Sequence, residues 1–338
     1  MTSELHRKPC AATRFVTDED DGTTLRETGV SVIVVTYRNA EHIAGCAEAL
    51  RKALPAVPTE LIIVDNDSGD GTADAARAAV PDATVVESGR NGGFAFGCHA
   101  GAARARGRRL LFLNPDAELA PGCVEALLDA ARSSPRAGIV GGRCVQADGT
   151  DDPRSWWGRP TLWSLFCFAT LATTLRPGST VFDPETPQPW SAPDEVRQVP
   201  IVAGALMLVD HELWERTGGL DTAFFMYGEE VDLCLRAARL GYRPTVTGRA
   251  VYQHPGGASS SGAGKHLMLF TGKATIVRRH LPRGLRRIGL ALLLTGVGLR
   301  AVLSRVTRAR PERQGRPTVD SDLWRVLWTR RREWIRGW

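Results

Sequence analysis

The first group of residues that could do chemistry lies in Leu110–Leu119, LLFLNPDAEL, where an apolar run ends in Asn114 and Asp116. Hard cations such as Mg²⁺ prefer carboxylate oxygens together with substrate phosphates to a complete protein cage. One exposed aspartate at the end of a strand would supply such a ligand. A Pro-Asp turn that caps the next helix is the alternative, so the segment alone leaves both interpretations open.

The second group is Glu229, Glu230 and Asp232, which crowd the start of a predicted helix. Acidic residues are favoured there by the helix dipole whatever their function, and Asp232 can pair with Arg236 one turn further on. Glu230 has no basic residue at that spacing. Residues 230 and 232 project about 200° apart on a regular helix, so they cannot both face one substrate.

Two polar segments follow predicted buried strands. Thr36 and Tyr37 come after the first strand, and the segment VDNDSGDGT places Asp65 after the second. Ligands of open α/β sheets bind outside the carboxyl ends of the strands, where Asp65 can accept a hydrogen bond from a base or a ribose hydroxyl. The polar residues that follow, up to Thr72, are typical of a turn and a helix cap.

The glycine-rich run Gly89–Gly101, GRNGGFAFGCHAG, permits close approach of the backbone to a ligand. It follows the third predicted strand and matches neither the GxGxxG fingerprint nor a P-loop, which disfavours a dinucleotide-dependent dehydrogenase. A tight turn explains the glycines equally well. His254, in VYQHPGGAS, follows a later predicted strand and in isolation is either a ligand or a satisfied polar residue.

The apolar pattern predicts a scaffold that brings these strand ends together. After a polar leader, strands alternate with helices up to residue 113, which indicates βαβ units and a doubly wound α/β domain with a mostly parallel sheet. The predicted strands are Val30–Thr36, Leu61–Val64, Ala83–Glu87 and Leu110–Leu113, and the predicted helices are Ala40–Leu54, Thr72–Ala79 and Ala95–Arg106.

The alternation stops after Gly141. Residues 143–199 are rich in proline and tryptophan and have little periodicity, so we expect a long, partly helical surface excursion there. Beyond it the sequence predicts a strand over Ile201–Val209, a short helix capped by Asp210, a helix over Glu229–Leu240 and a strand over Pro244–Tyr252.

The composition is that of a globular protein. Hydrophobic residues make up 43% and charged residues 24% of the 338 residues, which excludes disorder throughout the chain. No uncharged apolar run reaches the ~20 residues of a conventional membrane span, and the first residues lack the apolar region of a secretory signal. The seven scattered cysteines suit free thiols in a reducing cytoplasm.

Residues 278–338 are strongly basic, with 16 arginines against four acidic residues, whereas the rest of the chain has a net charge of −6. Such a segment favours a polyanionic partner, either nucleic acid or an anionic membrane surface. Within it, Ile288–Leu299 is an uncharged apolar run between arginines. A helix of that length spans about 18 Å, too short for a bilayer core but suited to the membrane interface. A helix docked on the rest of the protein is the alternative.

Taken together, these segments resemble the family 2 glycosyltransferases of the GT-A fold, and within them the bacterial rhamnosyltransferases that act on lipid-linked sugars. The likeness covers about Val30–Ser260. It rests on six motifs in order: VSVIVVTYRN, IIVDNDSGDGT, RNGGFAFG, LFLNPDAEL, AGALMLVDHELWERTGGLDTAFFMYGEEVDLCLR and QHPGGAS.

The resemblance implies a role for each candidate residue. Asp116 stands where the family's Asp-x-Asp binds a divalent ion, Mg²⁺ or Mn²⁺, and His254 matches a position that can complete the metal shell. The family's catalytic carboxylate pair, of which the second is the base, corresponds to Glu229 and Glu230, with Asp232 as a rival. Binding of the nucleotide-sugar donor is implied for Thr36, Tyr37, Asp65, Asn91, Gly93 and Asn114.

Two departures from the family pattern bear on these roles. Glu230 is one methylene longer than the usual aspartate, and His99 replaces the asparagine common in the family's GxNxG, which bears on any donor contact from that helix. The residue types still fit an inverting single displacement. A carboxylate takes the proton of the acceptor hydroxyl, and a metal neutralises the departing nucleoside diphosphate.

The resemblance therefore predicts a transferase that moves L-rhamnose from dTDP-rhamnose to a hydroxyl of a lipid-linked saccharide. The alternatives are another nucleotide sugar, a soluble acceptor, or a nucleotide- or polyanion-binding module without activity. No nucleic-acid partner is expected, because the basic segment has no recognisable nucleic-acid fold. We expect a flexible leader over 1–28, a GT-A domain over 29–262 and a basic helical region over 263–338 that holds the protein on the cytoplasmic face of the membrane.

Overall fold

The computed structural model of the protein describes residues 29–41, 43–46, 50, 57–254, 262–308 and 321–338. The predicted leader and the Pro255–Ser259 part of the last motif lie outside the described residues. The helix predicted over Ala40–Leu54 is described only in part, and its residues 43–46 and 50 are helical.

The predicted alternation of strands and helices is confirmed in the first part of the chain. The elements are β1 Val30–Thr36, β2 Thr59–Asp65, α1 Thr72–Ala79, β3 Thr84–Glu87, α2 Phe94–Ala102 and β4 Arg109–Leu113. Within the described residues, these strands are parallel and lie side by side in the order β3-β2-β1-β4. The helix after the glycine-rich run, α2, ends four residues earlier than predicted.

The continuous apolar run of β1 is explained by burial on both faces of the sheet. Val32 and Val34 belong to a core cluster on one face, and Ile33 and Val35 belong to a cluster on the other. Because successive side chains of a strand point to opposite faces, a strand covered on both sides needs apolar residues throughout. Both faces of this sheet are therefore covered, as a doubly wound domain requires.

The rest of the sheet mixes strand directions. The further elements are β5 Glu118–Leu119, α3 Cys123–Ser133, β6 Ile139–Val145, β7 Trp156–Trp157, α4 Leu162–Ala169, α5 Ala172–Leu175, β8 Val196–Gln198, β9 Ile201–Val202, β10 Leu206–Asp210, α6 His211–Thr217, α7 Glu229–Arg239 and β11 Thr245–Gln253. β10 is antiparallel to β4 and β6, and β11 is parallel to β6 and antiparallel to β5 and β8.

Two local predictions in this part are wrong. The strand predicted over Ile201–Val209 is two strands, because the strand is interrupted at Gly204 and the carbonyl of Ala205 accepts the N–H of Asn114. Asp210 precedes α6 but makes no side-chain cap, because its carboxylate pairs with Arg109 at 3.0 Å. The excursion over 143–199 is partly helical, as expected, although it begins inside β6 and also carries short strands.

The basic region folds as helices that pack on the sheet domain. It contains α8 Ala263–His280, α9 Arg286–Arg308, α10 Ser321–Thr329 and α11 Arg331–Trp334. Their apolar faces meet α4 in one cluster in which Phe270, Leu293, Leu327 and Trp334 are buried. The docked alternative is therefore confirmed for the inner face of this region.

Length and composition would also allow Arg283–Arg305 to cross a membrane, which differs from the expectation that no such segment exists. This stretch is longer than the uncharged run Ile288–Leu299 because it includes arginines on both sides of that run. In the described fold, 39% of an 18-residue apolar window within that stretch is buried against other elements. A helix packed in a soluble protein meets the same criterion, so the finding does not indicate a span by itself.

Candidate active site

The strand register brings the predicted site residues to one edge of the sheet. Thr36 pairs with Asp65 across β1 and β2, and Val34 pairs with Leu113 across β1 and β4. The residues that follow these strands therefore leave the sheet at the same level. This edge is where ligands of open α/β sheets bind.

Asp65 and Thr36 are both buried at this edge, but of their two side chains only that of Asp65 has hydrogen-bond partners within the described residues. Its carboxylate accepts hydrogen bonds from the backbone N–H of Ser68, at 3.4 Å, and from the Ser68 hydroxyl. Oγ1 of Thr36 has no hydrogen-bond partner within the described residues. A buried hydroxyl left without a partner costs free energy unless a ligand or water satisfies it. The Thr36 hydroxyl is therefore available to a bound nucleotide sugar.

The loop after β1 is fixed by the turn after β2. The N–H of Arg38 donates to the Ser68 hydroxyl at 2.8 Å, and the N–H of Asn39 donates to the Thr72 hydroxyl at 3.0 Å. The turn interpretation of Ser68 and Thr72 is thus consistent with the structure. Tyr37 stands in this fixed loop with its ring partly exposed, so the ring is available to the nucleobase of a donor nucleotide.

The glycine-rich loop is held from both sides. Nδ2 of the buried Asn66 donates to Oδ1 of Asn91 and to the carbonyl of Gly93, both at 3.1 Å. Gly93 has a φ of +86°, and a Cβ there would lie 1.9 Å from the carbonyl oxygen of Phe225. The glycine is therefore required by the chain's own packing. Asn91 and Arg90 are the polar side chains of this loop.

Asp116, Asn114 and His254 meet beyond the end of β4. Oδ1 of Asp116 lies 3.1 Å from Nε2 of His254, and Nδ2 of Asn114 lies 3.2 Å from the same nitrogen. Burial would raise the pKa of Asp116, but the hydrogen bond and charge of His254 outweigh it and lower the pKa. Asp116 therefore keeps its negative charge.

These residues fit a divalent ion. Two ligands about 2.1 Å from an octahedral Mg²⁺ lie about 3 Å apart, close to the observed spacing of Asp116 and His254. Among the described residues, no group of three His, Cys, Asp or Glu side chains forms a full cage. An ion here would therefore need further ligands such as substrate phosphates, which is how Mg²⁺ is commonly held.

Arg154 lies beside this cluster and was not indicated by the sequence. Its guanidinium donates to the carbonyl of His254 at 3.0 Å and is held by Asp152. Its charge also contributes to the lowered pKa of Asp116. Arg154 belongs to the excursion over 143–199, where no local pattern marks it.

Glu229 and Glu230 begin α7 in a different environment. Glu229 is only 5% exposed, and its Oε2 has no partner within the described residues. Glu230 accepts a hydrogen bond at Oε2 from the N–H of Gly228 at 3.1 Å. Burial raises the pKa of both carboxyls, and for Glu229 the neighbouring Glu230 raises it further. This pair holds protons more readily than ordinary glutamates do.

Asp232, the rival base, is turned away from this pair and fully engaged. Its carboxylate accepts from Nε of Arg236 at 2.6 Å and from Nε2 of His280 at 2.7 Å. Burial would raise the pKa of Asp232, but the bond from His280 and the charge of Arg236 outweigh it and lower the pKa. The expected pairing with Arg236 is present.

The segment between β9 and β10 connects the two groups of polar residues. The carbonyl of Ala205 accepts the N–H of Asn114 at 3.0 Å. A Cβ on Gly204 would lie 3.7 Å from Cβ of Glu230. The Asp116 cluster and the Glu230 side chain therefore flank one short turn.

His99 does not take part in this site. Its Nε2 lies 2.7 Å from the carbonyl oxygen of Leu220, and its ring packs on Trp214. The departure from the family's GxNxG therefore corresponds to a side chain that packs against α6 and the loop after it.

Comparison with known proteins finds one matching family model, similar curated enzymes and structures of similar fold. The model of glycosyl transferase family 2 matches residues 31–185. An N-acetylglucosaminyl-diphospho-decaprenol L-rhamnosyltransferase of Mycobacterium tuberculosis is 28% identical over 250 residues, which cover 70% of this chain and 79% of the relative. A low-salt glycan biosynthesis hexosyltransferase of Haloferax volcanii is 26% identical and is covered over 62% of each chain.

Among solved structures, a mannosyltransferase from Pyrobaculum calidifontis in complex with GDP-Man and Mn²⁺ superposes with a TM-score of 0.52. The match covers 91% of this chain and 83% of that chain at 20% identity. At this identity the likeness concerns the fold, and it agrees with the α/β architecture and mixed sheet described above.

Proposed function

We propose that this chain, whose residues 31–185 match the model of glycosyl transferase family 2, is a member of that family and an inverting rhamnosyltransferase that uses dTDP-rhamnose and a lipid-linked saccharide acceptor. The sugar and the acceptor class follow the name of the mycobacterial relative. The site supports the reaction type independently of that name.

One observation supports this proposal above all. Asp116, with a lowered pKa, and Glu230, with a raised pKa, flank the same turn at the ligand-binding edge of the sheet. Sugar transfer from a nucleoside diphosphate needs a place for the charge of the leaving group and a separate group for the acceptor's proton. The two ends of this site meet those two needs.

The chain's own residues divide the work as follows. Thr36, Tyr37 and Asp65 hold the base and ribose of the donor, and Asn91 and Asn114 line the pocket beyond them. Glu230 accepts the proton of the attacking hydroxyl as the bond to the anomeric carbon forms. The departing diphosphate leaves from the opposite face of the sugar, so the anomeric configuration inverts. Glu229 lies beside the base, and burial together with the charge of Glu230 raises the pKa of Glu229.

Asp116 and His254 are the residues that would hold a divalent ion, Mg²⁺ or Mn²⁺. When bound, the ion supplies Lewis-acid stabilisation of the diphosphate charge. The mannosyltransferase of similar fold contains Mn²⁺. Arg154 brings a second positive charge to the same end of the site.

A transfer assay tests the function. The full chain is incubated with Mn²⁺, a short-chain prenyl-diphospho-N-acetylglucosamine and either dTDP-rhamnose, UDP-galactose or GDP-mannose, and products are followed by mass spectrometry and NMR. We expect a rhamnosylated product of inverted configuration from dTDP-rhamnose only. Faster transfer from another donor, or transfer to a soluble sugar alone, would replace the proposed substrates. Nucleotide binding without any transfer would favour a binding module.

We further propose that the enzyme works on the cytoplasmic face of the membrane and contacts it through the outer side of α9. Ile288, Leu299, Val302 and Leu303 are 49%, 37%, 55% and 41% exposed, and their spacing places them on one helix face. Exposed arginines, Arg287 and Arg305, stand at the two ends of this stripe. An apolar stripe with flanking arginines suits an anionic membrane interface.

Point substitutions test this surface better than a truncation. Deleting residues 283–338 would remove buried side chains such as Leu293 and Trp334 from the core. The double variant Leu299→Glu/Val302→Glu should lower binding to phosphatidylglycerol vesicles about tenfold or more, since each side chain loses about 1.5 kcal/mol or more of burial. Val196→Glu, at an exposed site on β8, is the matched control. Unchanged vesicle binding by the double variant would contradict this placement.

A further inference from the structure

Asp232 is the centre of a charged cluster that joins three parts of the fold. Arg236, which pairs with it, also donates to the carbonyls of Thr217 and Gly219 at 2.6 and 2.7 Å. His280 reaches Asp232 from the last turn of α8, 48 residues further along the chain. The cluster therefore connects α7 to the end of α6 and to α8.

His280 is bonded through both ring nitrogens. Nε2 lies 2.7 Å from Oδ1 of Asp232, and Nδ1 lies 3.0 Å from a guanidinium nitrogen of Arg239. A carboxylate only accepts and a guanidinium only donates, so Nε2 must carry the hydrogen and Nδ1 must be the acceptor. The ring is thus fixed in one orientation and one tautomer.

The same helix also supports the loop that precedes α7. A Cβ on Gly272 would lie 2.1 Å from the carbonyl oxygen of Tyr227, so α8 is in direct contact with the backbone two residues before Glu229. Tyr227 itself has a φ of +71°. Residues 227–232, which carry the carboxylate pair, are therefore held by α8 at both ends.

We propose that His280 is a positioning residue for the transfer reaction: through Asp232 it sets the direction of the first turn of α7 and so the place of the Glu230 carboxylate. This inference rests on the proposed function only in assigning Glu230 as the base. It makes α8, which the sequence suggested was part of a membrane-associating region, a component of the active site's support.

Kinetics of three variants test the proposal. His280→Ala should lower kcat about tenfold or more with the KM for the donor within about twofold, as is typical when an outer hydrogen-bond partner is lost. His280→Gln should recover most of kcat, because its amide can donate to Asp232 in place of Nε2. His266→Ala, in the first turn of α8, should behave as wild type. Wild-type kcat in His280→Ala, or equal loss in a folded His280→Gln, would overturn the proposal.

Hydrogen exchange provides a readout that does not depend on the reaction. In His280→Ala the amides of residues 227–235 should exchange faster than in wild type, while β1 and β2 remain unchanged and His280→Gln resembles wild type. Unchanged exchange of these amides in His280→Ala would overturn the positioning role. Failure of the enzyme to transfer any sugar, with this exchange pattern intact, would instead count against the proposed function alone.

Discussion

Around Asp116 the neighbours are a histidine and an arginine, and the pKa of the carboxyl is lowered. Around Glu229 and Glu230 the neighbours are another carboxylate and the backbone, and both pKa values are raised. The two ends of the site lie on either side of one turn, but they shift the pKa of a carboxyl group in opposite directions. An end that keeps its charge suits a cation and a diphosphate, and an end that holds protons more readily suits the acceptor hydroxyl.

The largest effect is expected where the charge is kept. Asp116→Ala should reduce transfer to background and remove metal-dependent donor binding, because it deletes the carboxylate that would hold the ion. Steady-state kinetics with Mn²⁺ measure the loss. Asp129→Ala, at a half-buried aspartate on α3 that pairs with Arg132, serves as the control. Wild-type turnover in Asp116→Ala would mean that the charge of the leaving group is handled elsewhere.

The next largest effect is expected at the other end. Glu230→Gln should lower kcat about a hundredfold or more and leave donor affinity nearly unchanged, since a general base acts only on the acceptor's proton. A kcat close to wild type, together with a folded but inactive Asp232→Asn enzyme, would reverse the assignment of the base.

Asp232→Asn should act first on stability. The substitution weakens hydrogen bonds to Arg236 and His280 that are worth about 1.5–3 kcal/mol each when one partner is charged, and urea unfolding measures the difference. Because the folded-state pKa of Asp232 is below its ordinary value of 3.8, its stabilising contribution is full above that pH and is lost as the pH falls through the lower folded value. The gap between wild type and variant should therefore close in acid. A gap that widens in acid would contradict the ionised, paired state.

The smallest effect is expected for Glu229→Gln, and its pH dependence has the opposite sign. The pKa of Glu229 is raised above its ordinary value of 4.5, so ionising it in the folded protein is unfavourable and stability is lost as the pH rises through the folded pKa. The glutamine variant has no such loss. Its unfolding midpoint relative to wild type should rise between pH 5 and pH 8. A constant difference would show that Glu229 titrates normally.

The difference between the two ends also shows which features a sequence can reveal. Asp116 follows a buried strand and Glu230 begins an amphipathic helix, so local periodicity and the family motifs suffice to predict both as site residues. Other residues make their contacts far along the chain: His280 with Asp232 48 positions away, Arg154 with His254 100 positions away, and Asn66 with Asn91 25 positions away. No local spacing in the sequence indicates these contacts. The break at Gly204 illustrates the same limit, because the apolar pattern of Ile201–Val209 continues across it and only the folded chain shows the bond from Asn114 to Ala205.

Titration calorimetry of dTDP with Mn²⁺ tests the division of roles most directly. Wild type, Asp116→Ala and Glu230→Gln are compared with and without the metal. We predict that wild type and Glu230→Gln bind dTDP equally well and only with Mn²⁺, and that Asp116→Ala loses this metal-dependent binding. Equal metal-dependent binding by Asp116→Ala, or its loss in a folded Glu230→Gln, would contradict the separation of charge binding from proton transfer.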